Sequence, residues 1–369
     1  MDCDFEENDY APSRPFPISD SLVTGCAASR CTKSTNLSRC AACKVVFYCS
    51  REHQASHRPE HKPFCTIVKK AQAELDQEEA ALRAHPGDAW TRPNPFETGV
   101  GHFWGILATR EYMRTRNSLA HALFLINTRA AVQKTLDHVL DLLRLCRSDN
   151  MGVRDLPPSL YLRLGRDQEC YDYCKWWVTT ALRRDYDWGN TDLPYLDLKG
   201  EDAFESVSVF VNDKVDLTVP TGVMLLKIRL LIDLQTLRRA TREVGPRLPR
   251  ELVDKILQYS ATTSIVRDGR NIREQANHTP RIEDLKKQIR TLYEHVRQAN
   301  KHFWPALLNP DYHLTQQPMI LSKGSVGDMQ VKLQYCYNAW MQTPGAIGVI
   351  QDLTKVSAAR PGPACTCGR

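Results

Sequence analysis

Apolar positions recur every three or four residues through most of this chain, the spacing of helices that bury one face. Thr66 to Ala84 is rich in Lys, Gln, Glu and Ala. Ile67, Ala71, Leu75 and Leu82 mark a thin apolar stripe there, which predicts an exposed, extended helix over 66–85. His85-Pro86-Gly87-Asp88 is a strong stop, and the two prolines between Trp90 and Pro95 predict a linker at 86–95 with a domain boundary. The helical period then resumes over 102–126, with Phe103, Ile106, Leu107, Leu119, Leu123 and Ile126 facing inward. Thr128 caps a second helix carrying Val132, Leu136, Val139, Leu143 and Cys146. Further helices are predicted at Gly222 to Thr241, Pro249 to Tyr259, Ile282 to Phe303 and Val326 to Met341. Ser206 to Val219 alternates weakly through Val207, Val209, Val211, Val215, Leu217 and Val219, which predicts one or two short strands or a flap. Segments 1–20 and 346–369 read as disordered ends, leaving a mainly α-helical domain over 96–345.

The segment 21–65 has no such period; its pattern is one of ligands. Cys26, Cys31, Cys40, Cys43, Cys49, His53, His61 and Cys65 fall within forty residues as C-x4-C, C-x2-C, C-x3-H and H-x3-C pairs. Zinc takes four such ligands in a closed tetrahedron, so eight predict two structural ions per chain. The segment has too few apolar residues to fold without metal. The turn at Cys40-Ala41-Ala42-Cys43 aims two sulfurs at one ion, while Cys49/His53 and His61/Cys65 are i, i+4 pairs on helical turns. Pro59 lies between those pairs and is expected to interrupt the helix, so that they face different ions. His57, one turn from both His53 and His61, is the competing ligand; its other role is to stand behind the ligands or in solvent.

Composition narrows the class. The 369 residues carry 49 basic and 43 acidic side chains, interspersed, with no run of five or six of one sign. That argues against a nucleic-acid footprint. No apolar stretch reaches the eighteen or so residues needed to span a bilayer. The first twenty residues are acidic, contain proline and lack the apolar core of a secretory signal. Seven of thirteen cysteines lie outside the ligand set, scattered and odd in number, which fits a reducing compartment, cytoplasm or nucleus.

The order of the ligands resembles the MYND-type zinc finger, above all in Phe47-Tyr48-Cys49-Ser50-Arg51-Glu52-His53-Gln54 and Pro59-Glu60-His61-Lys62-Pro63-Phe64-Cys65. Two departures are visible: His53 stands at the sixth ligand, usually Cys, and the first spacer has four residues rather than two. The resemblance implies a small cross-braced finger with interleaved sites. Cys26, Cys31, Cys49 and His53 would hold one zinc, and Cys40, Cys43, His61 and Cys65 the other. It also implies binding of proteins or short proline-containing peptide motifs in a shallow groove. Of that groove's Gln and Trp, Gln54 matches and Arg58 replaces the Trp. Val46, Gln54 and Arg58 are therefore the candidate peptide-binding residues, with a preference for acidic ligands. Leu164-Gly165-Arg166-Asp167-Gln168-Glu169-Cys170-Tyr171 resembles the turn and second-helix start of a tetratricopeptide repeat, without a 34-residue period around it. The helical domain is thus expected to be a degenerate tetratricopeptide-like or solenoid-like array, or an irregular bundle. Over residues 20 to 310 the chain is similar to an expanded group of fungal MYND-type proteins.

MYND fingers also occur in SET-type lysine methyltransferases, but the Asn-His-Ser-Cys and Gly-Glu-Glu motifs of those enzymes are missing. Asn277-His278 is followed by Thr279 and Pro280. No GxGxxG, GxxxxGK[ST], HExxH or GxSxG occurs either. The expectation is a zinc-binding protein–protein interaction adaptor and not an enzyme, with a regulatory or transcription-related role. A nucleic-acid-associated regulator is the alternative, and a methyltransferase relative comes third.

Overall fold

The computed structural model describes residues 19–244, 248–319 and 321–358. Residues 1–18 and 359–369, most of the two segments read as disordered, lie outside them. The described part is mainly helical, as the periodicity predicts, and divides into two compact units. One is formed by residues up to Leu164 together with Thr180–Asp197, and the other by Gly165–Thr179 together with the residues from Leu198 onward.

The first unit holds a two-stranded sheet and five helices. Strand β1 (Ser38–Arg39) pairs antiparallel with β2 (Phe47–Tyr48), Ser38 opposite Tyr48. Helix α1 (Arg51–Arg83) follows at once, started by Ser50, whose hydroxyl accepts the His53 N–H at 3.3 Å. The expected interruption at Pro59 does not occur, and both Pro59 and Pro63 lie inside the helix. A proline in a helix interior costs about 3 kcal/mol, whereas a structural zinc contributes about 10 kcal/mol or more. Here His53 lies before and His61 and Cys65 lie after Pro59, so ligand fixation on both sides outweighs the missing N–H. His53 and His61 reach different sites because eight residues of helix separate them by about 12 Å along the axis.

The far half of α1 is not an exposed extension. Val68, Ala71, Leu75 and Leu82 are buried, and the helix packs on α3 (Arg110–Phe124). Between them lies α2 (Pro95–Thr98), a single turn, followed by the 3-10 turns Phe103–Gly105 and Leu107–Thr109. The continuous helix expected over 102–126 therefore begins only at Arg110. Phe96, Phe103 and Tyr112 form an aromatic cluster with centroids 4.9–6.3 Å apart. Residues 86–95 thus join elements of one unit rather than separating domains. The exposed-helix reading counted polar residues on α1 and could not see the apolar partner on α3.

Helices α4 (Arg129–Leu145) and α5 (Pro157–Leu164) complete this unit. Thr128 caps α4 as predicted, its hydroxyl accepting from the Ala131 N–H at 3.1 Å. The same buried hydroxyl donates to the Val45 carbonyl at 2.6 Å, so one side chain ties the ligand-rich segment to the helices. Two backbone bonds reinforce it: Val23 N–H to Asn127 O at 3.2 Å and Arg129 N–H to Val23 O at 2.9 Å. Asn127 also donates to Ser21 O at 2.8 Å and accepts from Arg163 at 2.6 Å.

The second unit is built on α7 (Thr218–Val244), flanked by α6 (Asp167–Val178), α8 (Arg250–Ser260), α9 (Ser264–Asp268) and α11 (Thr279–Ala299), with α10 (Arg270–Arg273) packed on α8 and α9. Helices α12 (Phe303–Leu308), α13 (Val326–Met341) and α14 (Ala346–Ala358) close it. The turn at Gly165 has a φ of +71°, in the left-handed region glycine favours, and joins α5 to α6 as the repeat-like motif predicts. The two helices belong to different units. Asp233, 1 % exposed, accepts four bonds of 2.6–2.9 Å from the amides and hydroxyls of Thr262 and Thr263, fixing the start of α9. Lys227 is fully buried and donates to the carbonyls of Ala203 and Glu205 at 2.7 and 2.9 Å. Burial brings its ammonium down to about 7 against the pull of Asp202 and Glu205.

Two expectations fail in this unit. Ser206–Val219 forms no strand: Val207 and Phe210 are buried three residues apart around the 3-10 turn Ser208–Phe210, while Val209 and Val211 face solvent. The period is three, not two. Residues 346–358, taken as disordered, form α14, which buries Ala346 and Ile350 and joins Thr354 to Tyr293 Oη at 3.1 Å. Its glycine and hydroxyl residues weakened the local signal, and tertiary packing supplies the helix.

The Thr128 link gives the first prediction. Thr128→Val keeps the shape but leaves Val45 O and Ala131 N–H without their partner, at a cost of about 2 kcal/mol. Urea denaturation should show that loss, and Thr128→Ser should recover most of it. Equal midpoints for wild type and Thr128→Val would show that the link contributes nothing.

Candidate metal centre

The eight predicted ligands converge as two groups, each with its ligand atoms within 4.8 Å of one another: Cys26, Cys31, Cys49, His53 and Cys40, Cys43, His61, Cys65. The interleaving follows from the chain path. Cys26 and Cys31 precede the sheet on one side and Cys40 and Cys43 form the turn on the other. Cys49 and His53 frame the start of α1, and His61 and Cys65 follow two turns later. Lys44 closes the Cys40–Cys43 turn with a left-handed φ of +60° and an N–H bond to Cys40 O at 3.0 Å.

The distances test the metal directly. Around zinc, sulfurs bound at 2.3 Å span a tetrahedral edge of about 3.8 Å, and a sulfur–nitrogen edge is about 3.5 Å. Cys31 Sγ to Cys49 Sγ and Cys40 Sγ to Cys65 Sγ are both 3.7 Å. Cys26 Sγ to His53 Nδ1 and Cys43 Sγ to His61 Nε2 are both 3.5 Å, and Cys49 Sγ to His53 Nδ1 is 3.1 Å. These separations are edges of coordination tetrahedra and are far too long for disulfides. Two zinc ions fit, with His53 offering Nδ1 and His61 Nε2.

The electrostatics agree. Burial pushes the Cys43 thiol up to about 12, and the neighbouring Cys40 and Cys65 thiolates oppose its ionisation further. Three thiolates side by side need a cation. Cys26 lies lower, at about 7: burial raises it, but hydrogen bonds from the Ala28 and Cys49 amides favour the thiolate more. Burial, the largest cause, keeps His61 neutral down to about 4, as a zinc-binding imidazole must be. Each site of three thiolates and one imidazole carries one net negative charge around its ion.

His57 is not in either group. Its Nδ1 meets the buried Tyr48 hydroxyl at 3.0 Å, and its ring stacks on His61 with centroids 5.8 Å apart and planes 18° from parallel. It orients a ligand from behind. The Tyr48–His57 contact and the bonds from Thr128 and Asn127 to the finger segment are what spacing alone did not reveal; only the second turn of α1 brings His57 under Tyr48.

A family model described as MYND finger matches residues 26–65. Together with the two ligand groups, this is decisive. Residues 26–65 are a MYND zinc finger. No curated protein and no solved structure matches the chain. Of the wider similarity expected over residues 20 to 310, the family match covers residues 26–65.

The three candidate peptide-binding residues do not share one surface. Val46 is 1 % exposed, and its carbonyl accepts the Cys40 N–H at 2.8 Å. It is interior to the MYND finger, which corrects its assignment as a contact residue. Gln54 is half-buried and Arg58 is exposed on α1. Phe47 O on β2 already accepts the Ala27 N–H at 2.8 Å, so β1, with both residues exposed, is the open side of the sheet.

Native mass spectrometry should find two zinc ions per chain. His53→Cys should keep both ions and His53→Ala should release the first. His57→Ala should keep both, because its imidazole only backs a ligand. Loss of an ion on His57→Ala would reassign the site.

Proposed function

We propose that the protein is a non-catalytic adaptor in which zinc holds the MYND finger in shape to bind proteins or short linear peptide motifs. The supporting observation is the complete filling of both sites: three sulfurs and one ring nitrogen occupy each tetrahedron. A catalytic zinc keeps one position open for water or substrate. The ions therefore contribute shape, and function lies on the surface they hold. Among the described residues no helix is long and apolar enough to cross a membrane. Among the described residues none of the ten cysteines is in a disulfide, which supports a reducing location, cytoplasm or nucleus. A regulatory or transcription-related role is consistent with such an adaptor.

The face offered by α1 around Gln54 and Arg58 is the proposed contact. An arginine where a flat aromatic would stand removes an apolar wall and adds a planar cation suited to carboxylates. A peptide array probed with the full-length chain should select a set of sequences, and zinc removal should abolish the signal. Arg58→Trp should shift the selected set away from acidic members. Absence of zinc-dependent capture would end the adaptor reading.

A further inference from the structure

The net positive charge of this chain lies in and beside the finger. Between Ser21 and Lys70 there are nine lysines and arginines and only two acidic residues, Glu52 and Glu60. All nine basic residues are exposed. Only Lys70 has an ion pair, with Glu74; the other eight have none among the described residues.

Four of the eight lie on α1: Arg51, Arg58, Lys62 and Lys69. Their spacings of seven, four and seven residues place them within about 40° of one another around the helix, at 100° per residue. The two carboxylates fall about 100° and 180° away from that line. On its other side lie buried residues, from Cys65 at about 40° through His61 and Val68 to Leu75 at about 120°. The four cations thus form a straight stripe about 27 Å long down one solvent-facing flank, ended two turns later by Asp76. Between them Ala55 and Thr66 present small side chains, so an approaching chain meets charge rather than bulk. No tryptophan, tyrosine or phenylalanine stands on the stripe, and such rings are what single-stranded nucleic acid stacks on.

We propose that this stripe docks an extended acidic peptide segment of a partner protein. The proposal rests on the adaptor reading and names its ligand class. Along the axis the cations are about 10, 6 and 10 Å apart, and an extended peptide advances about 3.4 Å per residue. Side chains of an extended peptide alternate between its two faces, so the matching ligand carries carboxylates at positions 1, 3, 5, 7 and 9 of a nine-residue stretch, all on the face that meets the stripe. Exposed ion pairs are individually weak and screened by salt, so four in register give modest, salt-sensitive affinity.

The experiment uses the zinc-loaded full chain and a fluorescein-labelled nonapeptide with glutamate at positions 1, 3, 5, 7 and 9 and serine elsewhere. Anisotropy should show saturable binding that weakens about tenfold between 50 and 300 mM salt. Arg58→Ser with Lys62→Ser should weaken it at least about fivefold, and Arg58→Glu with Lys62→Glu should abolish it, while native mass spectrometry still counts two zinc ions. Wild-type affinity in the charge-reversed variant overturns the stripe. So does displacement of the peptide by a charge-matched single-stranded DNA at lower concentration, which would make nucleic acid the ligand. Binding that appears only after removal of residues 1–18, with their five carboxylates before Tyr10, would make the chain's own segment the occupant instead. If array peptides are captured equally by wild type and the charge-reversed variant, the stripe fails and the adaptor reading stands. If zinc-dependent capture is absent altogether, the adaptor reading fails.

Discussion

One helix belongs to two structures at once. The first half of α1 contributes His53, His61 and Cys65 to the metal groups, and the second half contributes Val68, Ala71, Leu75 and Leu82 to the core against α3. Everything in the first unit is arranged around that sharing. Because the helix is continuous, the direction in which the zinc ligands hold its first turns sets the face its later turns present to α3. The finger is therefore not a bead on a string, and the ions act on more of the molecule than the forty residues that bind them.

The second tie between finger and helices is polar and small. Thr128, 5 % exposed, caps α4 and grips the finger's Val45 carbonyl with the same oxygen. Val23 and Asn127 add backbone bonds beside it. Buried polar groups that are fully paired specify one arrangement, because any shift leaves a donor or acceptor unsatisfied. Apolar packing along α1 and hydrogen bonding at α4 thus hold the finger at two separated places. What remains free is the outer flank of α1, where charge rather than packing decides what can approach.

The sequence was legible where chemistry is local. Eight ligands were readable from spacing because cysteine and histidine in such pairs have few other uses. Helix α13 (Val326–Met341) was readable to the residue, helped by Ser325, which caps it through the Asp328 N–H at 3.1 Å. Helix α11 was readable from Leu285, Ile289, Leu292 and Val296, all buried as their period required. Failures came where a distant partner overrides a local signal. Pro59 read as a break, yet ligation on both sides carries the helix through it. Val46 joined Gln54 and Arg58 as a contact residue through the groove that the family resemblance implies, yet its side chain is buried, 1 % exposed. The boundary placed at 86–95 relied on prolines, and those prolines merely turn the chain between α1 and α3.

The central claim is that zinc shapes the helical part of the first unit as well as the finger. Hydrogen exchange of the full chain with and without a zinc chelator measures this directly. The account predicts that metal removal strips protection from residues 51–65, spreads along α1 to Leu75, and reaches the start of α4 at Ala131, while α7 and α11 keep theirs. Unchanged protection from Val68 through α4, beside a finger that has lost all of its own, would contradict it.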